Sequence, residues 1–321
     1  WRIRSVCSHL HRTRTQENEG RRTGVKLSLV QMNATEDVAD NVNRACSSID
    51  EAAAQGADLV LLPEFFNNFY FFQYRDYDYM RLAEPDDGYS MTRVRDRARQ
   101  HGIHVIATLY EEEMPGLYYD TAMLIAPDGS VAGKYRKTHP GCYRSLEGIY
   151  FRAGTQFPVF DVVGWKVGIV ICYVTLFPET TRCSILNGAE LICIPFCASS
   201  VILSPQASSL PSRTGEETRD DEYWMRWWTT LMSQRALDNI AYLAPCNHVG
   251  VEGDVSFLGG SCVVDPGGRI QAMAEGEGVI TAELDRELFM DRRRVTPFLR
   301  DRRPHIYGPI CRETDSRAEA P

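Results

Sequence analysis

The sequence lacks any run of the ~18–20 apolar residues that a membrane-spanning helix requires, so none of its helices is expected to cross a bilayer. It also lacks an excess of cations. Its 35 Lys and Arg stand against 43 Asp and Glu, a formal net charge of −8. Phosphate backbones need clustered Lys and Arg, so nucleic acid is not an expected partner. Its ten cysteines include no C-x-x-C pair, and no other metal-ligand spacing occurs. No metal is therefore expected, and the cysteine chemistry read below needs no organic cofactor. Residues 1–24 are rich in arginine but lack the apolar centre of a secretory signal. They read as a disordered extension, with a presequence or an artefact of the translation start as alternatives. Most of the cysteines sit among Val, Ile, Leu and Ala, where a thiol acts as a small hydrophobe. Reduced thiols in a cytoplasmic protein are the simpler account.

What is present is ordinary globular material, 44% apolar and 24% charged over 321 residues. From Val25 onward, β-rich and helical runs alternate. Strands are expected over 25–32, 59–62, 104–110, 119–125 and 130–137, and again over 157–163, 166–172 and 190–196. Helices are expected over 38–55 and 89–101, the second stopped by Gly102. A third opens at Phe177-Pro178-Glu179 and closes at Asn187-Gly188. After a polar loop over 204–221, an aromatic helix covers 222–239. Strands over 241–245, 261–264, 269–274 and 279–284 complete the set. This order suits one layered α/β domain over 25–307, its mixed sheets covered by helices, with a C-terminal tail over 308–321.

Three features share one placement, a reactive residue at the C-terminal end of an apolar strand, the edge where α/β sheets bind ligands. In Leu61-Leu62-Pro63-Glu64-Phe65 the carboxylate follows four apolar residues and a proline. Partial desolvation should raise its pKa towards the range of a general base. A solvated loop glutamate is the alternative. In Tyr135-Arg136-Lys137-Thr138-His139, strand alternation turns Lys137 inward and Arg136 outward, unless both are surface charge. An inward ammonium can stabilise a thiolate and an oxyanion. In Gly168-Ile169-Val170-Ile171-Cys172-Tyr173, with a helix start just beyond, Cys172 stands at a strand-to-helix elbow. Helix N–H groups there are expected to lower the thiol pKa from about 8.5. The N–H of Tyr173 is placed to donate to an oxyanion.

With Leu62-Pro63-Glu64, Tyr135 to His139, and Cys172-Tyr173 followed by Pro178-Glu179, the chain resembles the nitrilase superfamily of carbon–nitrogen hydrolases from Val25 to about Tyr307. The resemblance implies a four-layer α-β-β-α sandwich and a homodimer or larger assembly. It also implies Glu64 as general base, Lys137 as oxyanion stabiliser and Cys172 as nucleophile. Glu147, in Leu146-Glu147-Gly148, falls where many members carry a second active-site carboxylate. Tyr70, Tyr173, Pro195 and Ala198 are the candidate substrate-binding residues. Gly116 to Ala122 looks like a family stretch in which Asp120 replaces the usual asparagine.

One departure stands at the elbow itself. Members commonly carry aspartate two residues after the nucleophile, where this chain has Val174, which cannot cap or orient backbone amides. Retained chemistry with altered loop geometry is expected. The implied substrates are small-molecule amides or N-carbamoyl amines, on the carbamoylputrescine amidase and ureidopropionase side of the family. Nitriles are one alternative, and a catalytically weakened binding or assembly subunit is another. Asp220, Asp221 and Glu222 are candidates to receive a distal amine, or else form a solvated helix start. Trp224, Trp227 and Trp228 read as core or subunit-contact residues, with a pocket wall as the second reading.

Overall fold

The computed structural model describes residues 24–142, 145–202 and 221–312. Residues 1–23 of the expected N-terminal extension, residues 313–321 of the tail, Asp220 and most of the polar loop lie outside the described residues, while Gly24, read as the end of that extension, already belongs to the first strand. Short buried strands lead the topology because parallel strands covered on both faces need no polar alternation. The first half contributes β1 (Gly24–Gln31), β2 (Leu59–Leu61), β3 (His104–Met114), β4 (Leu117–Ile125) and β5 (Val131–Arg136). The second contributes β6 (Val159–Val162), β7 (Trp165–Ile169), β8 (Leu191–Pro195), β9 (Ser199–Ile202), β10 (Tyr242–Cys246), β11 (Val249–Glu252), β12 (Val255–Leu258), β13 (Cys262–Val264), β14 (Ile270–Met273) and β15 (Gly278–Asp285). The helices are α1 (Val38–Ala54), α2 (Tyr89–His101), α3 (Glu147–Tyr150), α4 (Pro178–Leu186), α5 (Asp221–Asn239) and α6 (Arg286–Val295).

Two six-stranded sheets result, ordered β15-β1-β2-β3-β4-β5 and β14-β13-β10-β8-β7-β6. Each has three parallel central strands, β1-β2-β3 and β7-β8-β10, with antiparallel strands outside them. Helix α1 buries Val42, Ala45, Cys46, Ile49 and Ala52, a stripe at helical spacing. With Met91, Val94 and Ala98 of α2 this stripe covers the outer face of the first sheet. Helices α4 and α5 pack on the second sheet. The inner faces of both sheets merge into one core through residues such as Leu27, Leu29, Leu61, Ile169, Ile192 and Leu243. The fold is the expected α-β-β-α sandwich.

Several local readings hold because their causes are local. Gly102 ends α2 in the left-handed conformation at φ 65°, as read, and α1 begins at Val38 behind Asp37, a cap the sequence reading did not name, which accepts from the Asp40 N–H. The sequence reading missed α6 and a third, three-stranded sheet, β11-β12-β9. Residues 308–311 of the tail form one exposed 3₁₀ turn. Among the described residues, no helix is long and apolar enough to cross a membrane.

Candidate active site

The core ends of β2, β5 and β7 deliver the three expected side chains to one place between the sheets. After β2, the Leu62 N–H continues the ladder by donating to the Ile106 carbonyl (2.9 Å), and Pro63 then ends it. Phe65 takes φ 53°, and its N–H donates to Thr108 Oγ1 at 2.6 Å, which turns Glu64 into the core. Lys137 follows β5, its N–H donating to the Asp120 carbonyl (2.8 Å). Arg136 turns the other way and pairs with Glu111 at 2.9 Å. The alternation read from the sequence therefore holds.

Lys137 is 1% exposed and its Nζ meets three carboxylates, Glu64 Oε1 at 2.7 Å, Glu147 Oε2 at 2.6 Å and Asp120 Oδ2 at 3.3 Å. Burial opposes charge on every member of this group, and the ammonium decides how far each carboxyl resists it. Burial pushes Glu64 up, but Lys137 and hydrogen bonds from Asp120 and Cys197 outweigh it and hold the carboxyl below its ordinary value. This corrects the expectation of a raised pKa, because desolvation was legible in the sequence and the buried ammonium was not. Glu147 is raised by burial, only partly offset by Lys137, and Asp120 is raised well above its ordinary value by burial with Glu64 and Glu147 nearby. Lys137 is held well above its ordinary value, the three carboxylates overriding its burial. The Gly141 N–H donates to Glu147 Oε2 at 2.7 Å, fixing that carboxylate at the start of α3.

Cys172 adopts φ 46°, a left-handed conformation that costs a non-glycine residue about 1–3 kcal/mol. That strain turns its side chain out of the sheet, where it stays 9% exposed and lines a cavity of about 160 Å³. The elbow does not run straight into α4: a 3₁₀ turn, Cys172–Leu176, intervenes. Val174 is fully buried in that turn. The turn is held by its carbonyls instead of by a carboxylate. Thr180 Oγ1 donates to the Val174 carbonyl at 2.8 Å, while Arg235 of α5 donates to those of Thr175 (3.0 Å) and Leu176 (3.1 Å).

Tyr70, Tyr173 and Ala198 line the cavity with Glu147, whereas Pro195 ends β8 behind the wall and Phe196 and Cys197 face the opening instead. Trp224 and Trp227 also line it, so the second reading holds for these two. Trp228 is core, its indole N–H donating to the Gly260 carbonyl at 2.8 Å. Asp221 and Glu222 are exposed at the helix start and lie outside the cavity wall.

Three residues escaped the sequence reading. Cys197 donates its thiol to Glu64 Oε2 at 2.6 Å. His248 hydrogen-bonds through Nε2 to the Glu64 carbonyl and through Nδ1 to Glu252 Oε1 at 2.5 Å. Glu252 also accepts from the N–H groups of Ala34 (2.8 Å) and Tyr70 (2.9 Å). Cys197 and His248 each stand two residues past a strand, β8 and β10, so the rule that found Cys172 would have found them. Two groups of described residues have donor atoms close enough to hold an ion, Glu64 with Cys172 and Cys197, and Glu64 with Asp120 and Glu147.

A two-sheet sandwich with a cysteine, a carboxylate and a lysine converging between its layers defines a hydrolase of non-peptide C–N bonds. The carbon–nitrogen hydrolase family model matches residues 26–294. The chain belongs to that family, within the nitrilase superfamily. N-carbamoylputrescine amidase of Arabidopsis thaliana is 32% identical over 304 residues, 91% of this chain and 96% of the relative. Omega-amidase NIT2 of Xenopus tropicalis is 33% identical over 292 residues, 88% of this chain and 96% of the relative. Among solved structures, a carbon–nitrogen hydrolase from Helicobacter pylori superposes with a TM-score of 0.80 at 27% identity, covering 90% of this chain and 98% of that one. An amidase variant from Nesterenkonia sp. superposes with a TM-score of 0.71 at 26% identity and the same coverages. That structure is described as showing covalent addition of the acetamide moiety of fluoroacetamide at the active site cysteine.

Proposed function

We propose that this chain hydrolyses small primary amides or N-carbamoyl amines through a Cys172 thioester, releasing ammonia. The observation that carries the reading is the position of Glu64. Its carboxylate binds Lys137 Nζ at 2.7 Å and lies within 4.8 Å of the Cys172 sulfur, which lines a small cavity. Held below its ordinary pKa by Lys137 against burial, Glu64 is ionised and accepts the thiol proton as Cys172 attacks the carbonyl carbon. The developing oxyanion is met by the Lys137 ammonium and the Tyr173 N–H. Protonated Glu64 then gives its proton to the leaving nitrogen, and ammonia departs. Water, deprotonated by the same carboxylate, attacks the thioester and frees Cys172. Glu147, at the cavity wall, holds Lys137 in line and receives the substrate nitrogen.

A cavity of about 160 Å³ suits a small substrate, and Tyr70, Tyr173 and Trp224 suit an apolar stem. The covalent adduct described for the Nesterenkonia amidase supports a cysteine nucleophile. The exposed Val295, Phe298, Ile306 and Ile310 support a homo-oligomer, which light scattering on the purified chain measures. Free thiols at all nine described cysteines fit the cytoplasm.

The test is ammonia release from a primary amide, an N-carbamoyl alkylamine and the matching nitrile, with mass spectrometry of the acylated protein. The expected result is turnover of an amide or carbamoyl substrate, with the acyl group on Cys172. Turnover of the nitrile alone, or an adduct on another cysteine, sinks the reading.

A further inference from the structure

The proposed reaction uses one thiol, yet two face the cavity. Cys172 Sγ, Cys197 Sγ and a Glu64 oxygen lie within 4.8 Å of one another, and both cysteines line the opening. We propose that these three side chains bind a thiophilic divalent cation, Zn²⁺ being the plainest case, and that its binding blocks Cys172. Binding needs only the geometry; the block on turnover rests on the function proposed above.

The ligand set fits such an ion. Tetrahedral zinc, with Zn–S of about 2.3 Å and Zn–O of about 2.0–2.2 Å, needs ligand atoms roughly 3.4–3.8 Å apart. The Cys197 sulfur, 2.6 Å from Glu64 Oε2 across its own proton, has to open by roughly 1 Å when a metal replaces that proton. Two sulfurs select Zn²⁺ or Cd²⁺ over Mg²⁺ or Ca²⁺. The fourth position faces the cavity and takes water. Each thiol that binds gives up its proton to solvent, and nothing is oxidised or reduced.

The neighbouring acidic trio differs in one decisive respect. Glu64, Asp120 and Glu147 are just as close to one another, but Lys137 Nζ already sits among them at 2.7, 3.3 and 2.6 Å. That trio has its cation. On the thiol side the ammonium holds only Oε1 of Glu64, while Oε2 faces the Cys197 thiol and has no cation on it among the described residues.

The test uses the full chain. Equilibrium dialysis against Cd²⁺ is followed by the thiolate-to-cadmium absorbance and the alkylation of Cys172 by iodoacetamide, then by Zn²⁺ titration of ammonia release with chelator reversal. Loss of an outer-shell partner lowers metal affinity about 10–100-fold, and loss of a ligand atom should cost at least as much. Cys197→Ala and Cys197→Ser are therefore both expected to bind Cd²⁺ at least about tenfold more weakly than wild type, with Zn²⁺ inhibition, referred to each variant's own rate, weakened alike. Cys142→Ala, at an exposed thiol, should match wild type. Equal Cd²⁺ affinity in wild type and the Cys197 variants overturns the proposal, as does loss of binding in Cys142→Ala alone. Should neither Cys197 variant fold, wild type still decides it, because Cd²⁺ binding that gives no thiolate-to-cadmium absorbance, or that leaves Cys172 open to alkylation by iodoacetamide, overturns the site. A chain that binds Cd²⁺ as expected but hydrolyses no amide refutes the proposed function and leaves the metal site standing.

Discussion

The two six-stranded sheets share one plan and end in different chemistry. The first carries charge beyond its strands, Glu64 after β2 and Lys137 after β5, while the second carries sulfur and imidazole, Cys172 after β7, Cys197 after β8 and His248 after β10. Neither sheet holds a complete site. The carboxylate reaches the thiol only because the layers face each other, and polar bonds join them at that end. Cys246 of β10 donates its thiol to the carbonyls of Val30 (3.0 Å) and Leu61 (3.3 Å) in the first sheet. His248 and Glu252 tie the second half of the chain to the Glu64 carbonyl and to the Ala34 and Tyr70 amides. Activity should therefore report on the packing of the layers as well as on the reacting groups.

The comparison breaks most sharply at the nucleophile. Cys172→Ala should lower turnover on the order of 10⁶-fold, the scale seen when a nucleophile is removed, while leaving the fold intact by circular dichroism. Cys172→Gly should be equally inactive yet about 1 kcal/mol more stable than the alanine variant, and so melt higher, because glycine relieves the strain at φ 46°. Equal melting would show that the elbow stores no strain.

On the charged sheet the expected loss is divided between rate and stability. Lys137→Met should cost about 10²–10³ in kcat as an oxyanion donor disappears. It should also cost about 3–5 kcal/mol in denaturant unfolding, since it strands buried carboxylates without their ammonium. A variant that loses rate but no stability would mean that the carboxylates are protonated without Lys137.

Next in size is the tie between the layers. Glu252→Ala removes the acceptor of two buried amides and of His248, and should destabilise by about 3 kcal/mol or more, with kcat falling as Glu64 loses its register. His248 adds a pH signature. Burial opposes its charge, but Glu252 raises its pKa above the ordinary 6.5. Between 6.5 and the raised value the folded state holds the extra proton, so stability falls as pH rises through that window. The Glu252→Ala variant should lose this slope, which paired melting curves at pH 6 and 8 would reveal. An unchanged slope would refute the role given to Glu252.

Much of this architecture was legible because its causes are local. The stripe of α1, the Gly102 stop of α2 and the apolar runs before Glu64, Lys137 and Cys172 are written in consecutive residues. What stayed hidden depends on partners far apart in sequence. Strands β11 and β12 bury few side chains in a row, and α6 is mostly charged with Phe289 alone buried, so neither shows a readable stripe. Cys197 was hidden by its type, since an apolar setting makes any cysteine look inert until Glu64 is seen beside it. The turn around Val174 looked unsupported because Arg235, sixty residues on, supplies the bonds that hold its carbonyls.

Asp120 yields the smallest expected effect and the finest test of the charged side. Family resemblance places asparagine there, and the structure shows why the acid is tolerated. Burial, with Glu64 and Glu147 adjacent, raises Asp120 well above its ordinary 3.8 and so favours the protonated carboxyl, the form that resembles an amide. Asp120→Asn should therefore change kcat far less than the about 10²-fold expected for an acid–base group. Stability should respond with a definite sign. Above 3.8 the unfolded chain releases the proton that the folded one keeps, so wild-type stability declines as pH rises towards the raised value. The asparagine variant lacks that decline and should gain in Tm relative to wild type as pH rises from 3.8 towards the raised value. If wild type instead gains on the variant over this range, Asp120 is ionised, and Lys137 is neutralising a full negative charge there as well as at Glu64.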